Sequence, residues 1–161
     1  MEYFLGIDIG TTAVKTVAFS SAGKVLGERS CSYSMLHPMP GWSEQDPEEI
    51  AGAVFKCVEN ILQHFRHPPQ LISFSAAMHS LIAVDEEGLP LSNCLIWADN
   101  RADGIAGRII REQRAESYYQ KTGVGVHAMS PFCKLLWWRE NDPLLFKNAS
   151  RFIGIKEYIF L

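Results

Sequence analysis

The sequence predicts an α/β domain built on a mixed sheet, and three observations carry that prediction. Two apolar runs, residues 3–9 and 13–19, are rich in Ile, Val, Phe and Thr and flank a Gly-Thr-Thr turn, which is the pattern of a β-hairpin. Val25 to Ser34 reads as a third, less regular strand, so the chain opens on an antiparallel meander. After the meander, helix-patterned and strand-patterned stretches alternate. The 161 residues suffice for one compact domain, and 47% apolar against 20% charged residues is a globular composition.

Each later element has its own signal. Ser20-Ser21-Ala22-Gly23-Lys24 is a turn, and Met35 to Asp46 is a loop holding Pro38, Pro40 and Gly41. Asp46 is placed to cap a helix, with Pro47 at its first position and Glu49 three residues after the cap. Ile50, Val54, Cys57, Val58, Ile61, Leu62 and Phe65 then recur at helical spacing, which predicts one helix over 47–65 that covers the sheet until Pro68-Pro69 stop it. Cys57 on that face reads as packing. Leu71 to Ser75, Leu81 to Val84 and Cys94 to Trp97 read as short strands, the second closed by the polar turn 85–88. Residues 102–122 are helical in composition, with Gly123 and Gly125 as stops. Pro131 to Glu140 predicts a further helix with Phe132, Leu135, Leu136 and Trp138 as its apolar stripe. Arg151 to Ile155 is a last strand, and Lys156 to Leu161 begins a helix.

Composition excludes several function classes. A net charge of −3 argues against nucleic acid or an anionic membrane held by bulk charge. No apolar run approaches the ~20 residues of a membrane span, and Met1-Glu2-Tyr3 lacks the basic flank of a secretory leader. Cys31, Cys57, Cys94 and Cys133 are scattered, suggesting neither zinc nor a disulfide framework, so a reducing cytoplasm is the default location.

The hairpin turn carries the first chemistry. Asp8 ends the first strand, where its carboxylate can hold a divalent cation directly or through water. Gly10 leaves the backbone bare to an anion, Thr11 and Thr12 add hydroxyls, and Lys15 adds a point charge. The set suits a metal-bound polyphosphate, although the same stretch also reads as a plain hairpin. Further along, His79 reads either as a loop histidine satisfied by backbone or as a neutral donor to a sugar hydroxyl beside Met78. Trp97 reads as core, or with Asp99 and Arg101 as a polyol site of apolar ring and charged groups. Arg101 also reads as a simple partner of Asp99. Trp137 and Trp138 read as packing.

The Asp8-Ile9-Gly10-Thr11-Thr12 run resembles the first phosphate-binding motif of the sugar kinase, actin and heat-shock chaperone superfamily. With Gly41-Trp42-Ser43-Glu44-Gln45-Asp46-Pro47, Met78-His79 and Trp97-Ala98-Asp99-Asn100-Arg101 in order, nearly the whole chain resembles the FGGY family of carbohydrate kinases. Residues 73–80, 97–101 and 130–135 are most similar to the gluconokinases, and the Met-His pair is shared with the xylulokinases.

The resemblance implies a ribonuclease-H-like fold, ATP and Mg²⁺ as cofactors, and transfer of phosphate to a sugar or sugar acid, first of all gluconate. It implies Asp8, Gly10, Thr11, Thr12 and Lys15 at the phosphates, with Asp8 as the metal residue. It implies Met78, His79, Trp97, Asp99 and Arg101 at the sugar. The general-base Asp and a C-terminal adenosine domain are expected beyond Leu161, so residues 1–161 read as part of an N-terminal domain with little turnover of its own. The expected partner is a small molecule, not nucleic acid or membrane, and a homodimer stays open. The rival reading is a non-catalytic nucleotide-binding module on the same fold, against which the polyol residues speak.

Overall fold

The computed structural model describes residues 2–161. In chain order the elements are β1 (Tyr3–Ile9), β2 (Ala13–Ser20), β3 (Val25–Ser32), β4 (Glu44–Gln45), α1 (Pro47–Leu62), β5 (Leu71–Ala76), β6 (Ile82–Val84) and β7 (Cys94–Leu95). They continue with α2 (Asp103–Arg111), α3 (Ala115–Thr122), α4 (Pro131–Asn141), α5 (Pro143–Asn148), β8 (Arg151–Ile153) and α6 (Ile155–Ile159). These form two compact units. One runs to Met35 and takes in Gln45–Ala77 and Ile155–Leu161; the second comprises Leu36–Glu44 and Met78–Gly154.

The first unit is a four-stranded mixed sheet in the order β3-β2-β1-β5, antiparallel through the meander and parallel between β1 and β5. Alternation in β1 buries Tyr3, Leu5, Ile7 and Ile9 on one face and leaves Asp8 in solvent. The register sets Asp8 opposite Lys15 on one side and Ser75 on the other. Helix α1 packs on β2 and β3 through Ile50, Val54, Cys57 and Ile61, as its spacing predicts. Asp46 caps it, accepting from the backbone N–H of Glu48 at 2.8 Å and of Glu49 at 3.4 Å. The helix ends at Leu62, one turn before the expected limit, and Val58 is only half-buried because it sits at the edge of the apolar face.

The second unit differs more from the sequence reading. β6 and β8 form their own antiparallel pair outside the main sheet. The expected helix over 102–122 is two helices, α2 and α3, separated by a turn at Gln113, whose φ of 56° is left-handed. The turn closes with the N–H of Gln113 on Ile110 O and of Arg114 on Ile109 O, which ends α2 without a glycine. In α4 the buried residues are Cys133, Lys134 and Trp138, while Phe132 is exposed, so the stripe is shifted from the one its apolar residues suggest. The short helix α5, capped by Asp142, fills a stretch the sequence reading left without an element.

Candidate functional site

In the first unit the hairpin turn at 10–12 is built tightly. The N–H of Gly10 donates to Ala13 O at 3.0 Å, and a Cβ on Gly10 would itself meet that oxygen at 3.0 Å. A side chain at position 10 would therefore crowd the turn's closing bond, which glycine leaves relaxed. The Tyr33 hydroxyl donates to Gly10 O, and the Tyr33 N–H donates to Thr12 O at 3.3 Å, so the residue directly after β3 pins the turn. The Gln45 amide adds a bond to Thr11 O at 2.8 Å. Beside this turn lies an open cleft of about 250 Å³ lined by Gly6, Asp8, Lys15, Ser73, Phe74 and Ser75. Asp8 and Lys15 thus face one space, with two serines on the adjoining strand. Lys15 makes an exposed ion pair with Glu28 at 3.0 Å, of the kind that contributes little and exchanges readily. Thr12 is exposed and Thr11 half-buried at the turn, outside the residues that line the cleft. Among the described residues no group of three or more His, Cys, Asp or Glu gathers as a metal site. A single carboxylate at this cleft suits an ion whose remaining ligands come from phosphate and water.

The second unit holds the residues expected at the sugar, and their roles divide. Asp99 is fully buried, 0% exposed. Its carboxylate accepts from the Ser43 N–H at 2.8 Å and from the Arg101 guanidinium at 2.8 and 2.9 Å. The Arg101 side chain is 4% exposed. It also bonds Glu44 and lies 3.8 Å over the Trp42 ring, which stacks edge-on with Trp137. Asp99 and the Nε and Nη2 of Arg101 are thus bonded within the protein, an arrangement that fits positioning of neighbouring groups. Trp97, two residues before Asp99, is 46% exposed, and Met78 is 72% exposed. These two present apolar surface outward.

His79 follows Met78 in a turn with φ of 64°, a left-handed conformation that is unusual for a side-chain-bearing residue. Its carbonyl accepts from Lys134 Nζ at 2.7 Å, and Lys134 also donates to Ile96 O at 2.7 Å and Leu95 O at 3.4 Å. Lys134 is 0% exposed, so it cannot meet a substrate carboxylate. Instead it ties the His79 turn to the strand that leads into Trp97. Burial pushes its ammonium down to about 8, while Asp99 and Cys94 act in the opposite direction. Burial, Lys134 and His127 together hold His79 below the ordinary imidazole value, which keeps its ring neutral. His79 opens onto a cavity of about 310 Å³ whose walls include Tyr118, Val124, Val126, Ser130 and Phe132.

Three participants escaped sequence reasoning. Trp42 and Glu44 belong to the Gly41–Pro47 run that carries part of the family resemblance, but nothing local to that run gave either a contact with Arg101. His127 lies in electrostatic reach of His79 and accepts the Met129 N–H on Nδ1 at 3.1 Å. Its separation of 48 residues from His79 gave no local pattern to find.

Comparison with known proteins places this arrangement. The chain is 45% identical over 162 residues to gluconokinase of Bacillus licheniformis, covering 99% of this chain and 31% of that protein. It is 35% identical over 160 residues to xylulose kinase of Staphylococcus xylosus, covering 99% of this chain and 33% of that protein. The ligand-bound xylulose kinase structure from Lactobacillus acidophilus superposes with a TM-score of 0.96 at 36% identity, over 99% of this chain and 33% of that one. The chain thus spans about a third of the length of the relatives it matches. The sequence model of the N-terminal domain of the FGGY carbohydrate kinases matches residues 3–161, and the chain belongs to that family.

Proposed function

We propose that the protein carrying this chain phosphorylates gluconate with ATP in the cytoplasm, and that these residues form the phosphate turn and much of the sugar floor. The observation that carries the reading is the cleft where Asp8, Lys15 and two serines meet beside a tight turn closed at Gly10. Asp8 is the residue that would hold Mg²⁺, and Lys15, Thr11 and Thr12 are the donors that would meet phosphate oxygens. When bound, the ion neutralises charge on the phosphates. Lys15 can leave its exposed pairing with Glu28 at little cost to take a phosphate oxygen. At the other unit, neutral His79 offers one donor and one acceptor to sugar hydroxyls, and Trp97 and Met78 offer apolar surface to the carbon chain. Asp99, Arg101 and Lys134 hold these groups in place. On this reading the general base and the adenosine pocket lie outside residues 1–161, so little turnover is expected from these residues alone.

Gluconate is favoured by the higher identity to a gluconokinase, 45% against 35% for a xylulose kinase. One observation favours xylulose as the second reading: Arg101 and Lys134, two cations that could meet a carboxylate, are both committed inside the protein. His79 and His127 remain as donors for it. The deciding experiment is kcat/KM of the longer protein for gluconate and xylulose with Mg²⁺ and ATP. A preference for gluconate is expected. A preference for xylulose replaces the substrate, and phosphorylation of neither sugar overturns the kinase reading.

A further inference from the structure

Cys31 on β3 and Cys57 on α1 lie against each other, the Cys57 thiol donating to Cys31 Sγ at 3.1 Å. Both gather over Val14, which is the register partner of Cys31 and whose carbonyl lies 3.9 Å from Cys57 Sγ. A disulfide needs sulfurs about 2.05 Å apart, so closing the bond takes an approach of only about 1 Å. The two residues differ in access. Cys31 is half-buried at the sheet surface, and Cys57 is fully buried beneath the helix. We propose that Cys31 and Cys57 form a redox modification site at which a peroxide closes a disulfide between β3 and α1.

The chemistry balances in two steps. The Cys31 thiolate attacks one oxygen of hydrogen peroxide, breaking the O–O bond and giving the sulfenic acid and hydroxide. The Cys57 sulfur then attacks the Cys31 sulfur and displaces the hydroxyl, which leaves as water with the Cys57 proton; the hydroxide from the first step takes up the proton Cys31 gave. Two electrons pass from the sulfurs to peroxide. Burial raises the Cys57 thiol to about 12, which suits it to wait as the second partner while the accessible Cys31 reacts first. The Arg29 charge, on the same strand two residues before Cys31, acts on Cys57 in the opposite direction, favouring its thiolate. The bridge would close a loop of 26 residues across the frame that supports Tyr33 and, through it, the hairpin turn. This inference does not rest on the kinase reading.

The test uses the purified protein under a small excess of hydrogen peroxide, followed by alkylation and peptide mapping without reductant. Wild type should lose two hydrogens and yield a linked Cys31–Cys57 peptide, with Cys94 and Cys133 still alkylated. The oxidised protein should melt higher by at least about 5 °C, because the cross-link restricts the unfolded chain. In Cys57→Ser the reaction should stop at a Cys31 sulfenic acid trapped by dimedone; the wild-type map stands by itself if that variant does not fold. Four alkylated cysteines after oxidation, oxygen added to Cys31 without a linked peptide, or a melting point that fails to rise on oxidation would each overturn the proposal.

Discussion

The hairpin turn and the Asp99–Arg101 network are made from the same kinds of side chain and use them oppositely. At the turn, Asp8 and Lys15 stand in solvent on a sheet face, held by backbone register and by one exposed ion pair. In the network, Asp99 and Arg101 are enclosed, and the Asp99 carboxylate and Arg101 Nε and Nη2 are bonded to Ser43, Glu44 and each other. Charged residues that remain exposed in a rigid frame are available to a ligand. Charged residues that are buried must satisfy one another, and removing one leaves its partner's charge stranded. Burial therefore gives a physical ground for proposing ligand contact at the turn and positioning in the network, which the motif alone does not give.

The sharpest way to break this contrast is Arg101→Ala. It leaves Asp99 and Glu44 without their cation, and unfolding by denaturant should show a loss of about 3–5 kcal/mol. In the longer enzyme any residual kcat/KM should fall equally for gluconate and xylulose. A stable variant that loses gluconate alone would return Arg101 to the substrate. Lys134→Met comes next, at about 3 kcal/mol, because three carbonyl oxygens lose one charged donor and His79 loses its anchor. An unchanged denaturation midpoint would mean that the His79 turn holds its own shape. By contrast Lys15→Ala should change stability by no more than about 0.5 kcal/mol, since its partner is exposed. A larger loss by the same measurement would show that the turn's charges are structural after all.

The smallest effect concerns pH. His79 is held below its ordinary value of 6.5, so between its folded value and 6.5 the unfolded chain binds more protons. Stability should rise with pH across that window and show no His79 contribution above it. Replacing His79 with Asn, which tolerates a left-handed backbone, should flatten that part of the profile measured between pH 5 and 8. An unaltered slope would assign it to other groups.

How far the sequence leads differs between the same two regions. The hairpin was legible because strand alternation and a Gly turn are local signals, and the register that sets Asp8 against Lys15 follows from them. Helix α1 was legible from its cap, its proline and its apolar spacing. The carbonyl contacts of Lys134 were not, because the three oxygens that receive it come from residues 79, 95 and 96, far from it in sequence. The break at Gln113 was hidden because the left-handed residue there is neither Gly nor Asn. The Trp42 stack on Arg101 joins residues 59 apart, a contact that only the fold creates.

In the proposed function Asp8 serves a bound phosphate and metal while contributing nothing to folding. Asp8→Asn in the longer enzyme, assayed for turnover and for unfolding in the same preparation, tests it directly. The account predicts a loss in kcat of at least about 10²-fold, roughly 2.7 kcal/mol of transition-state stabilisation, with stability unchanged within about 0.5 kcal/mol. Near-normal kcat at saturating Mg²⁺, or a loss of activity matched by a loss of stability, would contradict it.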